Sequence, residues 1–177
     1  MATLDAQSAT TLIACGITAV STLSAVLITS LFNNRQARIN LDRQAQQKST
    51  ELRLAKLEEL YLLFEKWQTN LSGIYMHHLR CYVGKLTYKQ VMELTREPGM
   101  LLPGEHQKML MLLNVHFPEL VADHAPVNDA RSALATFLSD PAEKRLSAND
   151  FVARQKEFED ACRIFKGRIV SRAKPAD

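Results

Sequence analysis

Residues 57–82, LEELYLLFEKWQTNLSGIYMHHLRCY, place Leu57, Leu60, Tyr61, Phe64, Leu71, Ile74, Tyr75, His78 and Tyr82 three, four or seven residues apart. That spacing collects them on one face of an α-helix, whose period is 3.6 residues, and no two-residue alternation competes with it. The stretch predicts a long amphipathic helix that must cover its apolar face with other helices, with Trp67 half-buried at the edge of that face. Gly84 marks its end.

The segments that follow supply the cover. Thr87 suits an N-cap for a short helix over 87–95, stopped by Glu97-Pro98-Gly99, and Pro103-Gly104 closes the loop. Residues 105–117 carry Met109, Leu110, Met111, Leu112, Leu113 and Val115, apolar nearly all round and too short to span a bilayer, which predicts a central buried helix. Pro118 with Glu119 suits a helix start, Pro126 predicts an interruption, and Val127, Ala130, Leu134, Phe137 and Leu138 resume helical spacing. The last helix opens at Ser147 or Asn149. Its Phe151, Phe158, Cys162, Phe165 and Ile169 follow a seven-residue rhythm, one narrow seam for a partner helix. Short connections make neighbouring helices antiparallel, so this seam is expected on the 57–82 helix. The fold class is therefore all-α, with a bundle of four to five helices over 57–177 whose packing centres on Leu57, Leu60, Tyr61, Phe64, Phe151, Phe158 and Phe165.

Upstream the chain changes character. Residues 11–32, TLIACGITAVSTLSAVLITSLF, hold no charge over 22 residues. As a helix they extend about 33 Å, the thickness of a bilayer's hydrocarbon core, which predicts a transmembrane helix over 11–33 behind a short external tail over 1–10. Seven Ser and Thr lie in this run and must bond within their own helix or to a neighbour. A cleaved secretory peptide would need a basic start, whereas the first ten residues contain Asp5 and no Lys or Arg. Two stripes of small residues at four-residue spacing, Ala14, Thr18 and Thr22, and Ser21, Ala25 and Thr29, suit close approach of a second span and equally suit a weakly hydrophobic anchor.

Arg35, Arg38, Arg43, Lys48, Arg53 and Lys56 follow the span, opposed by Asp42 and Glu51 alone. Cations concentrate on the cytoplasmic side of a span, so the N-terminus is expected outside and the C-terminus in the cytoplasm. Residues 34–56 lack Gly and Pro and are expected to continue the helix as a basic juxtamembrane stalk; Asn33-Asn34 fits either a break or a polar pair at headgroup level. Leu41, Ala45, Lys48, Leu52 and Ala55 trace an imperfect coiled-coil heptad. Arg35, Arg38, Arg43 and Lys48, with Arg168, Arg172 and Lys174 of the basic C-terminal helix, are the expected contacts to anionic lipid headgroups.

Composition narrows the chemistry. The 177 residues carry 22 Lys+Arg against 19 Asp+Glu, and the surplus is juxtamembrane, since 57–177 is balanced. Balanced charge without interleaved aromatics disfavours a nucleic-acid partner. Three Cys at 15, 81 and 162 give neither a disulfide framework nor a Cys-x-x-Cys metal pair. His77 and Cys81 lie four apart, with His106, His116 and His124 as possible further ligands, and form a weak metal pair at most, while Glu-x-x-His and His-Glu-x-x-His are absent, so no metal and no cofactor is expected. His78 reads as a core histidine with one satisfied nitrogen, and His77 as solvated. No glycine-rich cradle and no nucleophile beside a base is visible, which leaves no catalytic residue to name.

An uncharged span, a basic helix and then Lys56-Leu57-Glu58-Glu59-Leu60-Tyr61 resembles uncharacterised bacterial single-pass membrane proteins with a cytoplasmic helical domain. The resemblance implies a bacterial inner membrane and supplies no activity. The expectation is a non-enzymatic, membrane-anchored interaction or scaffold module that engages an unidentified protein partner or forms a homo-oligomer. A small-molecule or metal-responsive membrane-tethered regulator is the alternative.

Overall fold

A computed structural model describes residues 2–96, 99, 102–144 and 146–173; over residues 2–28 it describes side chains only at Thr22, Val26 and Leu27. Among these residues the chain is all-α: α1 (Ala2–Tyr82), α2 (Tyr88–Leu94), α3 (Glu105–Met111), α4 (Val121–Ala135) and α5 (Ala148–Ala173). A π-helical turn at Leu112–His116 prolongs α3, and 3₁₀ turns at Pro118–Leu120 and Thr136–Leu138 flank α4.

The contacts divide the chain into two units, Met1–Glu51 and Leu52–Asp177. The first is helical from Ala2 and every described side chain in it is exposed. Among the described residues no helix is long and apolar enough to cross a membrane. The span expected over 11–33 falls largely on residues whose side chains lie outside those described, among them Ala14, Thr18, Ser21 and Ala25.

The second unit is the helical bundle. Its α1 portion ends where Gly84, at φ +70°, turns the chain back: Lys85 N–H bonds to the Arg80 carbonyl and Gly84 N–H to that of Cys81. Those two bonds satisfy carbonyls that a helix end leaves orphaned, and the left-handed φ favours glycine there. Thr87 caps α2 in a reciprocal box with Gln90. Ser147 opens α5, its Oγ accepting from Asn149 N–H at 3.1 Å.

Aromatic rings fix the order of packing. Tyr82 and Tyr75 meet Phe151, Tyr75 and Trp67 meet Phe158, and Phe64 meets Phe165 at 4.8 Å, so α5 runs antiparallel to α1. Phe64 near His124 and Tyr82 near Phe137 make α4 parallel to α1. Ion pairs Lys66–Glu105 and Arg53–Glu119 set the segment from α3 to the 3₁₀ turn antiparallel to α1. The α5 seam of Phe151, Phe158, Cys162, Phe165 and Ile169 is buried throughout, as are Leu57, Leu60 and Phe64, while Tyr61 is half-buried.

Three expectations need correction. Trp67 is buried at the centre rather than at the edge, because Phe158 and His106 close over its two sides. Segment 105–117 is amphipathic: Met109, Leu112, Leu113 and Phe117 are buried, whereas Met111 and Val115 are exposed, and ion pairs from Glu105 and Lys108 reach α1. Pro126 lies inside α4 without interrupting it; it is on the exposed face, where the carbonyl its ring displaces can turn to water.

Candidate functional site

Side chains of residues 54–62 of α1 and of the C-terminal turn of α5 form an apolar groove. Leu54, Leu57, Tyr61 and Leu62 form one wall and Ile169, Val170 and Ala173 the other, around about 360 Å³, with the acidic Glu58 also in the lining. The groove exists because antiparallel packing brings the C-terminal turn of α5 to residues 54–62 of α1. Neither segment signals it alone.

A second, more polar groove of about 650 Å³ lies between α1 and α3. Glu59 pairs with Lys108 across it, and Lys66 with Glu105 at 2.7 Å. The Lys66 ammonium and the Leu102 N–H hold the Glu105 carboxyl below its usual range. The Lys56 ammonium lies 2.7 Å from His116 Nε2, and the Arg53 guanidinium sits 5.9 Å over the Phe117 ring while pairing with Glu119. Sequence reasoning placed Arg53 and Lys56 in the stalk; they belong to the second unit, and only the distant Phe117 and Glu119 reveal it.

His124, from the sequence a possible further metal ligand, is buried among Phe64, Trp67 and Phe165. The Asn128 amide lies 3.2 Å from its Nδ1, and its Nε2 has no hydrogen-bond partner among the described residues. Burial, with Arg131 and His106 nearby, lowers its pKa. His78 is also buried, as its place on the apolar face implied, and its Nδ1 finds no partner among the described residues. Burial and the adjacent His77 lower its pKa too. His77, expected in solvent, is half-buried with an unpartnered Nδ1.

The weak metal pair gains nothing here. Cys81 is a free, half-buried thiol whose pKa burial and Asp140 raise, and no group of three metal-ligating side chains occurs among the described residues. Of the expected headgroup contacts, Arg35, Arg38, Arg43 and Lys48 are exposed in the first unit. Arg168 and Arg172 are exposed on α5, Arg168 with Asp123 at 3.6 Å, and Lys174 lies outside the described residues. Of the two small-residue stripes, Thr22 and Thr29 have described, exposed side chains.

A scan of protein-family models finds none that matches this chain, and no curated protein or solved structure is detectably similar to it.

Proposed function

We propose that the chain is a non-enzymatic, membrane-anchored interaction module, with residues 11–33 spanning the membrane and the helical bundle held on its cytoplasmic face. The observation that carries this reading is the run of exposed large apolar side chains at Val26, Leu27, Leu31 and Phe32, at the end of 22 uncharged residues. Contiguous exposed apolar surface calls for lipid or protein cover. The cations that follow it set the bundle on the cytoplasmic side, where Arg35, Arg38, Arg43 and Lys48 meet anionic headgroups.

Extraction of isolated membranes at alkaline pH tests the anchor. The full chain should stay in the pellet and enter the detergent phase; release into the alkaline supernatant overturns the reading. A protease added to intact spheroplasts should spare a tag placed after Asp177, and digestion of that tag from outside reverses the topology.

The 360 Å³ apolar groove favours a second reading, a small apolar ligand that regulates the tethered bundle. Native mass spectrometry of the bundle purified from its own cell would show an added mass, lost on Leu57→Glu, if that reading holds.

A further inference from the structure

The apolar groove between α1 and α5 lies wholly within the second unit, since its lining runs from Leu54 to Leu62 and from Ile169 to Ala173. Its walls are aliphatic apart from Glu58 and Tyr61. A carboxylate carries a negative charge and only accepts hydrogen bonds, and the face of a phenol ring is negative as well. The electrostatics of the lining are therefore of one sign.

The other charges nearby are matched. Glu59 pairs with Lys108 of α3, and Glu65 with Lys166 of α5 at 3.2 Å. Arg53 is taken by Glu119, Lys66 by Glu105, and Lys56 lies against His116. Glu58 sits among these residues on α1 and has no ion pair or hydrogen bond among the described residues. Lys166, four residues before Val170, is held by Glu65 and is not in the lining, nor is Arg172 beside Ala173. So the carboxylates that face a neighbouring helix have a cation opposite, and the one in the groove has none.

We propose that the groove binds an organic monocation with an apolar body, an amine or quaternary ammonium whose charge meets Glu58 and whose hydrocarbon lies along Leu57, Leu62 and Val170. The proposal rests on the ligand reading of this groove and adds the class of ligand; it needs neither the span nor its topology. Residues 54–62 advance about 12 Å along α1, so a short alkyl chain and its head group fit against one helix wall. A neutral apolar molecule leaves the Glu58 carboxylate without a partner, and an anion is repelled by it. A cation gains the ion pair and the face of the Tyr61 ring.

Photolabelling of the full chain in its native membrane tests this. Three probes share one diazirine-bearing decyl chain and end in trimethylammonium, hydroxyl or carboxylate. The ammonium probe should label peptides covering 54–62 and 169–173 saturably, and decyltrimethylammonium should compete with it. Glu58→Gln should raise its half-saturating concentration about fivefold, the worth of a partly screened ion pair, and Glu58→Asp, which keeps the charge, should recover most of that loss. Glu59→Gln, whose carboxylate is paired with Lys108, should leave the value unchanged. The hydroxyl probe should label the parent more weakly and be indifferent to Glu58→Gln. Val170→Trp, at an exposed position, fills the groove without touching the core and should remove the saturable labelling. Equal labelling by the ammonium and hydroxyl probes, both blind to Glu58→Gln, or stronger labelling by the carboxylate probe, would overturn the cation and leave a ligand groove standing. Saturable labelling of these peptides by no probe, or labelling that survives Val170→Trp, would overturn the ligand reading of the groove and the cation with it.

Discussion

Phe158 meets Tyr75 edge-on, with ring centroids 5.5 Å apart and planes at 86°. Both side chains are buried, and burial pushes the Tyr75 hydroxyl up to about 12. The contact joins the middle of α5 to the middle of the bundle portion of α1, with Trp67 on the other side of Phe158 at 6.0 Å. An aromatic pair in this geometry adds to what area burial alone gives.

Phe158→Ala is therefore expected to cost the 52–177 unit about 3–5 kcal/mol, because neighbouring rings cannot collapse into the space. Lys156→Ala, two residues earlier and exposed, should stay within about 0.5 kcal/mol of the parent. Urea unfolding of the two variants checks this, and coincident midpoints would show that the seam does not hold the bundle together.

Glycines separate backbone strain from helix propensity. At Gly84 an added Cβ meets no atom within 4 Å, so the effect of Gly84→Ala is that of φ +70° alone, about 1–2 kcal/mol of destabilisation. Gly73 and Gly167 lie inside α1 and α5, also with open space at the Cβ, and there alanine should stabilise by about 0.5–1 kcal/mol. Thermal unfolding of the three variants should give opposite signs.

Cys162 is buried and its thiol is pushed up to about 12 by that burial, so it is held as an unreactive thiol at neutral pH. Labelling by a water-soluble disulfide reagent at pH 8 should occur only through unfolding, and Phe158→Ala should accelerate it. Cys81, half-buried, should react in the folded protein and more slowly than a free thiol. Equal labelling of both in the parent would contradict the packing around α5.

What the sequence makes legible follows its periodicity. The α5 seam and the Leu57, Leu60, Phe64 face could be read because regularly spaced apolar residues admit one burial pattern. Thr87 and Gly84 could be read because caps depend on local chemistry. Segment 105–117 misled because composition does not say how many neighbours a helix has, and Pro126 misled because its exposed position in α4 is a tertiary fact. The groove at Leu54 and Val170 depends on residues more than a hundred positions apart, and the burial of His124 depends on Phe64, Trp67 and Phe165, all distant in sequence.

Buried histidines give the bundle a pH dependence of definite sign. His124 and His78 are held below their ordinary value of 6.5, chiefly by burial. The groups facing His124 offer no negative charge to offset this: Arg131 and His106 both disfavour its protonation, and Asn128 is neutral. Below about pH 6.5 the unfolded chain takes up protons at these residues that the folded chain refuses, so stability is complete above that pH and falls as pH drops toward the folded values. Glu105, held below 4.5 by its bond from Lys66, titrates beneath the window from pH 6.5 to 5. Urea midpoints of the 52–177 unit should therefore fall between pH 7.5 and 5, and His124→Phe should reduce the slope while Phe64 and Phe165 continue to pack on the ring. A midpoint constant over that range in the parent would mean that His124 and His78 reach water or a carboxylate when protonated, and that the aromatic enclosure opens without unfolding the bundle.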